Sequence, residues 1–68
     1  MRSPKISLTA ARVNAALTQK EFAKKCGVCE TTVINWELGR RLPNVNMLRV
    51  IETALGYPAD LIRFEKIG

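Results

Sequence analysis

The sequence predicts an all-α fold of five short helices. Three observations predict it. Apolar residues recur at helical spacing, and no strand pattern runs longer than a few residues. Capping residues (Ser7, Thr18, Asn44) precede the apolar runs. Stop signals follow them: Gly27, Gly39 and Gly56. The chain has 68 residues, which is one domain, 1–68, and no room for a second.

Each element has a local reason. Ser7 caps a first helix over about Leu8 to Ala16, a stretch in which Ala10, Ala11, Ala15 and Ala16 favour helix, and Ser3-Pro4 offers an alternative earlier start because Pro suits the first helical position. Thr18-Gln19-Lys20-Glu21 is a capping box. The Thr18 hydroxyl accepts from the Glu21 amide while the Glu21 carboxylate reaches back, with Leu17 as a staple before them. A second helix then runs from Gln19 to Cys26, with Phe22, Ala23 and Cys26 on one face. Gly27 ends it without Cβ strain. A third helix covers about Glu30 to Leu38, with Val33 and Trp36 pointing inward and Cys29 at a cap position where Ser or Thr is more usual. Arg40-Arg41-Leu42-Pro43 is loop. Asn44 caps a fourth helix through Leu55, with an apolar stripe of Leu48, Ile51 and Leu55. A fifth helix is expected after Pro58, offering Ala59, Leu61 and Ile62 to the core, with Phe64 and Ile67 packing back on Ile6.

Composition then narrows function. Eleven Lys+Arg against six Asp+Glu give a net charge of +5. The pI is near 9.8. Such a charge suits a polyanionic partner, with nucleic acid first and an anionic membrane second. The chain has no His, the usual general base at neutral pH, and Asp60 is its only Asp. No base–nucleophile pair and no phosphate-cradling loop are present, so an enzyme and a cofactor are not expected. No apolar run approaches the roughly 18 residues that span a bilayer. The start, Met1 to Lys5, leads into no apolar segment of a signal peptide, and the expected location is the cytoplasm.

Cys26-Gly27-Val28-Cys29 is a C-x-x-C, which raises zinc and redox readings. Structural zinc usually takes four ligands, and the chain offers no third Cys and no His. A thioredoxin-like reading needs a βαβ context that is missing. Both are therefore expected as reduced, structural thiols with no metal.

The middle of the chain carries the functional signal. Two helices joined by a short turn containing Gly form the helix-turn-helix spacing, here over about residues 18–37. Ala23 is small enough for close helix approach, Gly27 turns the chain, Val28 plugs the space beneath and Val33 anchors the second helix. Glu30, Thr31, Thr32 and Asn35 are left on the outer face, all polar and short enough for a major groove. Asn can hold adenine, Glu can accept from cytosine, and a Thr methyl can meet that of thymine.

Leu17-Thr18-Gln19, Phe22-Ala23, Gly27-Val28, Thr32-Val33, Trp36-Glu37 and Gly39-Arg40 with Pro43 together resemble the Cro/CI-type, lambda-repressor-like helix-turn-helix domain. Leu55-Gly56-Tyr57 with Leu61-Ile62 resembles that family's last two helices, and the likeness covers about Leu8 to Ile62. The resemblance implies a small phage or prokaryotic transcriptional regulator, a homodimer on an operator of double-stranded DNA, in the nucleoid. It implies base reading by Gln19, Glu30, Thr31 and Asn35. It implies backbone contacts by Thr18, Lys20, Thr32, Arg40 and Arg41, and dimer contacts near Tyr57 and Pro58. It also implies an ion pair between Arg12 and Glu21 joining the first two helices. Cys29, Leu38 and Ile34 depart from the family pattern: Cys29 replaces a hydroxyl cap, Leu38 stands where Asn is frequent, and Ile34 is an apolar residue on a wet face. The same fold also serves as a protein-interaction or antitoxin-type module.

Overall fold

The structure, a computed structural model, describes residues 5–64. In chain order it comprises β1 (Ile6–Ser7), α1 (Leu8–Asn14), α2 (Gln19–Cys26), α3 (Glu30–Glu37), α4 (Val45–Leu55), a 3-10 turn (Ala59–Leu61) and β2 (Ile62–Arg63). The architecture is all-α, as the sequence predicts. It has four α-helices rather than five among the described residues.

The fifth helix shortens to the 3-10 turn because two stronger constraints act on it. Pro58 is extended (φ −60°, ψ 129°), and Ala59 N–H donates to the Glu52 carboxylate at 2.8 Å, which fixes the turn's start. Ile62 then goes extended and pairs in parallel with Ile6, as Arg63 does with Ser7. A β-branched residue tolerates that geometry well. It also buries Ile62 to 2% exposure while its backbone gains a ladder partner. Ile6 and Phe64 are each partly buried against the core. Ser3, Pro4 and Ile67 lie outside the described residues.

The caps act as the sequence indicates. Ala10 N–H donates to Ser7 Oγ at 3.0 Å and Met47 N–H to Asn44 Oδ1 at 2.8 Å. At the start of α2 both halves of the capping box are made, Glu21 N–H to Thr18 Oγ1 at 3.0 Å and Thr18 N–H to Glu21 Oε1 at 2.9 Å. The capped amides would otherwise lack partners, since the first four N–H groups of a helix have no intrahelical acceptor.

Helix α1 stops two residues short of its expected end. Ala16 takes the left-handed conformation (φ 60°). Leu17 N–H then reaches back to the Arg12 carbonyl at 3.2 Å and Ala16 N–H to the Val13 carbonyl at 2.9 Å. This is the helix stop that normally uses Gly. Holding an L-residue there costs roughly 1–2 kcal/mol, partly recovered by the smaller entropy of Ala in the unfolded chain. Ala16→Gly is therefore expected to stabilise the protein by about 0.5–1 kcal/mol, or roughly 3–6 °C in Tm for a chain this small. Circular-dichroism melting checks this; an unchanged or lowered Tm refutes it.

The core consists of Leu8, Ala11, Phe22, Ala23, Cys26, Val33, Trp36, Ile51, Leu55 and Ile62, drawn from all four helices and β2. Phe22, Val33 and Ile51 are fully buried. Ala23, 3% exposed, allows α2 and α3 to approach closely, and Val28 packs beneath the turn. On α4 the stripe is rotated from the one expected. Met47, Ile51, Ala54 and Leu55 meet the core, while Leu48 stays half-buried. The inward face is set by where α2 lies, not by the most apolar line along α4.

Candidate nucleic-acid interface

Helix α3 follows α2 after a tight turn at Gly27 (φ 72°), where Val28 N–H bonds the Ala23 carbonyl at 3.0 Å. Its inner face is Val33 and Trp36. Its outer face presents Glu30 and Thr31 exposed, with Thr32, Ile34 and Asn35 half-buried. The four polar candidates thus stand along one helix that its own apolar pair holds in place. Leu38, 51% exposed, leaves the helix end apolar.

Cys29 at the head of α3 makes no side-chain cap. Its Sγ instead lies 3.2 Å from Thr32 Oγ1. The Thr32 hydroxyl, followed by its amide, holds the Cys29 thiol below its ordinary range. Burial pushes the Cys26 thiol up. Both are free thiols, one buried and one exposed. Among the described residues no three His, Cys, Asp or Glu side chains come together as metal ligands would.

The second half of the candidate surface lies after α3. Arg40 and Arg41 N–H both turn back to the Asn35 carbonyl, at 2.9 and 3.3 Å, and leave both guanidinium side chains exposed. Buried Gly39 makes this reversal possible with φ 75°, a conformation that favours glycine. Beside α3 lies a depression of about 280 Å³ whose lining includes Thr32, Arg41 and Asn44. It brings together two residues, Thr32 and Arg41, that the resemblance separately implies as DNA-backbone contacts. It also adds Asn44, which sequence reasoning took only as a helix cap. The signal that existed was its place directly after the basic loop.

The head of α2 carries Thr18 and Lys20, both exposed, and Gln19, half-buried. The Thr18 amide bond is the main cause that holds the Glu21 carboxyl below its ordinary range, followed by the Thr18 hydroxyl. A lowered carboxyl contributes stability that is present at neutral pH and is lost only as pH falls through its folded-state value.

One expectation is overturned here. Arg12 does not pair with Glu21. Its Nε donates to Glu37 Oε2 at 2.6 Å and its Nη1 to the Leu17 carbonyl at 2.7 Å. Glu37 Oε1 accepts in turn from Gln19 Nε2 at 3.0 Å. Glu21 is already committed to the cap of its own helix, whereas Glu37 closes α3 directly against α1 and α2. The Arg12 and Glu37 side chains are 13% and 6% exposed, so the ion pair is largely shielded from water. It positions Gln19 relative to α3. The Gln19 carboxamide oxygen accepts no hydrogen bond among the described residues, so it is available to a donor outside the fold. Tyr57, half-buried, and Pro58, exposed, lie after α4 on the segment that the Glu52 carboxylate anchors.

A family model described as helix-turn-helix matches residues 8–62. No curated protein matches the chain, and no solved structure matches it.

Proposed function

Because the chain belongs to the Cro/CI-type helix-turn-helix family, whose members are in general DNA-binding regulators, we propose that it is a sequence-specific transcriptional regulator of the repressor type. The observation that carries the reading is the composite surface around α3. Glu30, Thr31 and Asn35 lie on its outer face, and Thr32 and Arg41 line one depression at its flank. Base-reading groups flanked by backbone-holding groups is the division of labour that sequence recognition requires.

In this reading α3 enters the major groove. Glu30, Thr31 and Asn35 read base edges, and Gln19 reads from the head of α2. Thr18, Lys20, Thr32, Arg40 and Arg41 hold phosphates. Two copies, joined near Tyr57 and Pro58, place their recognition helices about 34 Å apart in successive grooves. The protein works in the cytoplasm on the nucleoid, with no catalysis and no cofactor.

Selection from a random duplex pool at about physiological salt tests this. An enriched inverted repeat is the expected result, with affinity falling by a log–log salt slope near −0.9 per phosphate neutralised. A folded protein that enriches nothing overturns sequence-specific recognition, and a single enriched half-site overturns the dimer.

A further inference from the structure

A groove between α2 and α4 carries a chemistry the DNA reading leaves unused. Its volume is about 450 Å³, and Lys25, Arg49, Val50, Thr53 and Ala54 line it. None of these residues is among the proposed DNA contacts, and Lys25 lies at the opposite end of α2 from Thr18, Gln19 and Lys20. A partner seated here covers none of those proposed contacts directly.

The lining combines two features. Its apolar part is Val50, 36% exposed on an outward position of α4, beside Ala54, which also packs on the core. Its rim is cationic. Lys25 is exposed on the last turn of α2, and its charge reaches Glu21 one turn earlier. Arg49 is exposed on α4 and forms no salt bridge among the described residues. Thr53 adds a hydroxyl one turn beyond Arg49.

We propose that this groove docks a short acidic segment of a partner protein. An apolar side chain of that segment sits on Val50 and Ala54 while its carboxylates meet Arg49 and Lys25. Charge complementarity selects this occupant. A guanidinium beside an apolar surface favours a carboxylate carried next to an apolar group, since Arg is weakly hydrated and its fork matches the carboxylate geometry. A second copy of the chain carries a net charge of +5 and brings repulsion to this rim. A nucleic acid backbone answers the cations but brings nothing apolar to the floor. The docking does not rest on the DNA reading. With that reading it makes the groove the place where a bound regulator recruits, or is held by, a second protein.

The test is a phage-displayed library of random twelve-residue peptides, selected against the intact chain at about physiological salt. The enriched peptides are expected to carry at least two Asp or Glu within one helical turn of Leu, Ile or Phe. A synthetic copy of one, titrated into isotope-labelled protein, is expected to move the amide signals of Lys25 and of 49–54. Arg49→Gln and Val50→Ser are each expected to weaken that peptide by about tenfold, the size of one charge-assisted or apolar anchor, with Tm unchanged. No acidic–apolar enrichment, signals moving on α3 instead, or full affinity in Arg49→Gln overturns the proposal. So do groove signals that move with protein concentration alone, because a second copy is then the occupant. A failed duplex selection removes the DNA reading and leaves this result standing.

Discussion

Glu37→Ala is expected to lower stability by about 2–3 kcal/mol, because it leaves the guanidinium of Arg12 without its counter-ion in a largely shielded site, with only the Leu17 carbonyl as acceptor. Removing one partner of a buried ion pair costs much more than the pair contributes, since the remaining charge has lost both water and counter-ion. Here the loss also frees Gln19, whose amide nitrogen rests on the same carboxylate. A domain of this size has only about 5–15 kcal/mol in total, so the variant should unfold at a much lower denaturant concentration with an unchanged slope. Glu37→Gln keeps an acceptor for Arg12 and should lose distinctly less. The control is a double change, Arg12→Met with Glu37→Leu, which removes both charges and should recover most of the stability. Urea unfolding of the four proteins decides the matter. A Glu37→Ala variant within about 0.5 kcal/mol of the parent, the size of an ordinary surface change, shows that the three-helix network holds nothing.

The second large effect concerns recognition. Asn35→Ala is expected to lose about 1–3 kcal/mol of discrimination, roughly a factor of 5 to 150, at one base pair of the selected site. Binding to unrelated duplex should stay nearly the same. Asn35 is half-buried, and its backbone carbonyl, which both Arg40 and Arg41 use, survives the change. The loss is therefore chemical and not a collapse of the loop. Arg41→Ala gives the opposite pattern. Affinity falls alike for all sequences and the salt slope shrinks by about one unit. Fluorescence anisotropy on the selected duplex and on its single-base variants, at three salt concentrations, separates the two. If Asn35→Ala discriminates as the parent does, α3 does not read bases through that residue.

Much of this molecule is local, and what is local is legible. The Thr18–Glu21 box spans three residues, and the Asn44 and Ser7 caps act within one turn. Side-chain caps set the starts of α1, α2 and α4, and Gly27 and Gly56 set the stops of α2 and α4, almost to the residue. Inward positions at Phe22, Ala23, Val33, Trp36, Ile51 and Leu55 follow from helical spacing, because a helix can bury only one stripe. The polar set on α3 follows from the same geometry, being what the buried pair leaves outside.

Other features were set by contacts between residues distant along the chain, which no spacing rule reaches. Arg12 chose Glu37, 25 residues away, over the nearer Glu21. The nearer carboxylate was held by its own helix cap, and only packing showed which acid lay against α1. The segment after Pro58 became a turn and a strand because Ile62 found the backbone of Ile6, 56 positions back. The register of α4 was decided by the surface of α2, which placed Met47 rather than Leu48 on the core. Thr32, Arg41 and Asn44 came to line one depression only when α3 and the start of α4 were brought side by side. Sequence alone determined the helices, their caps and the face that α3 presents, because those depend on neighbours within a few residues. The tertiary structure decided ion-pair partners, the closing strand and the grooves, because these depend on which surfaces remain unoccupied once the helices have packed.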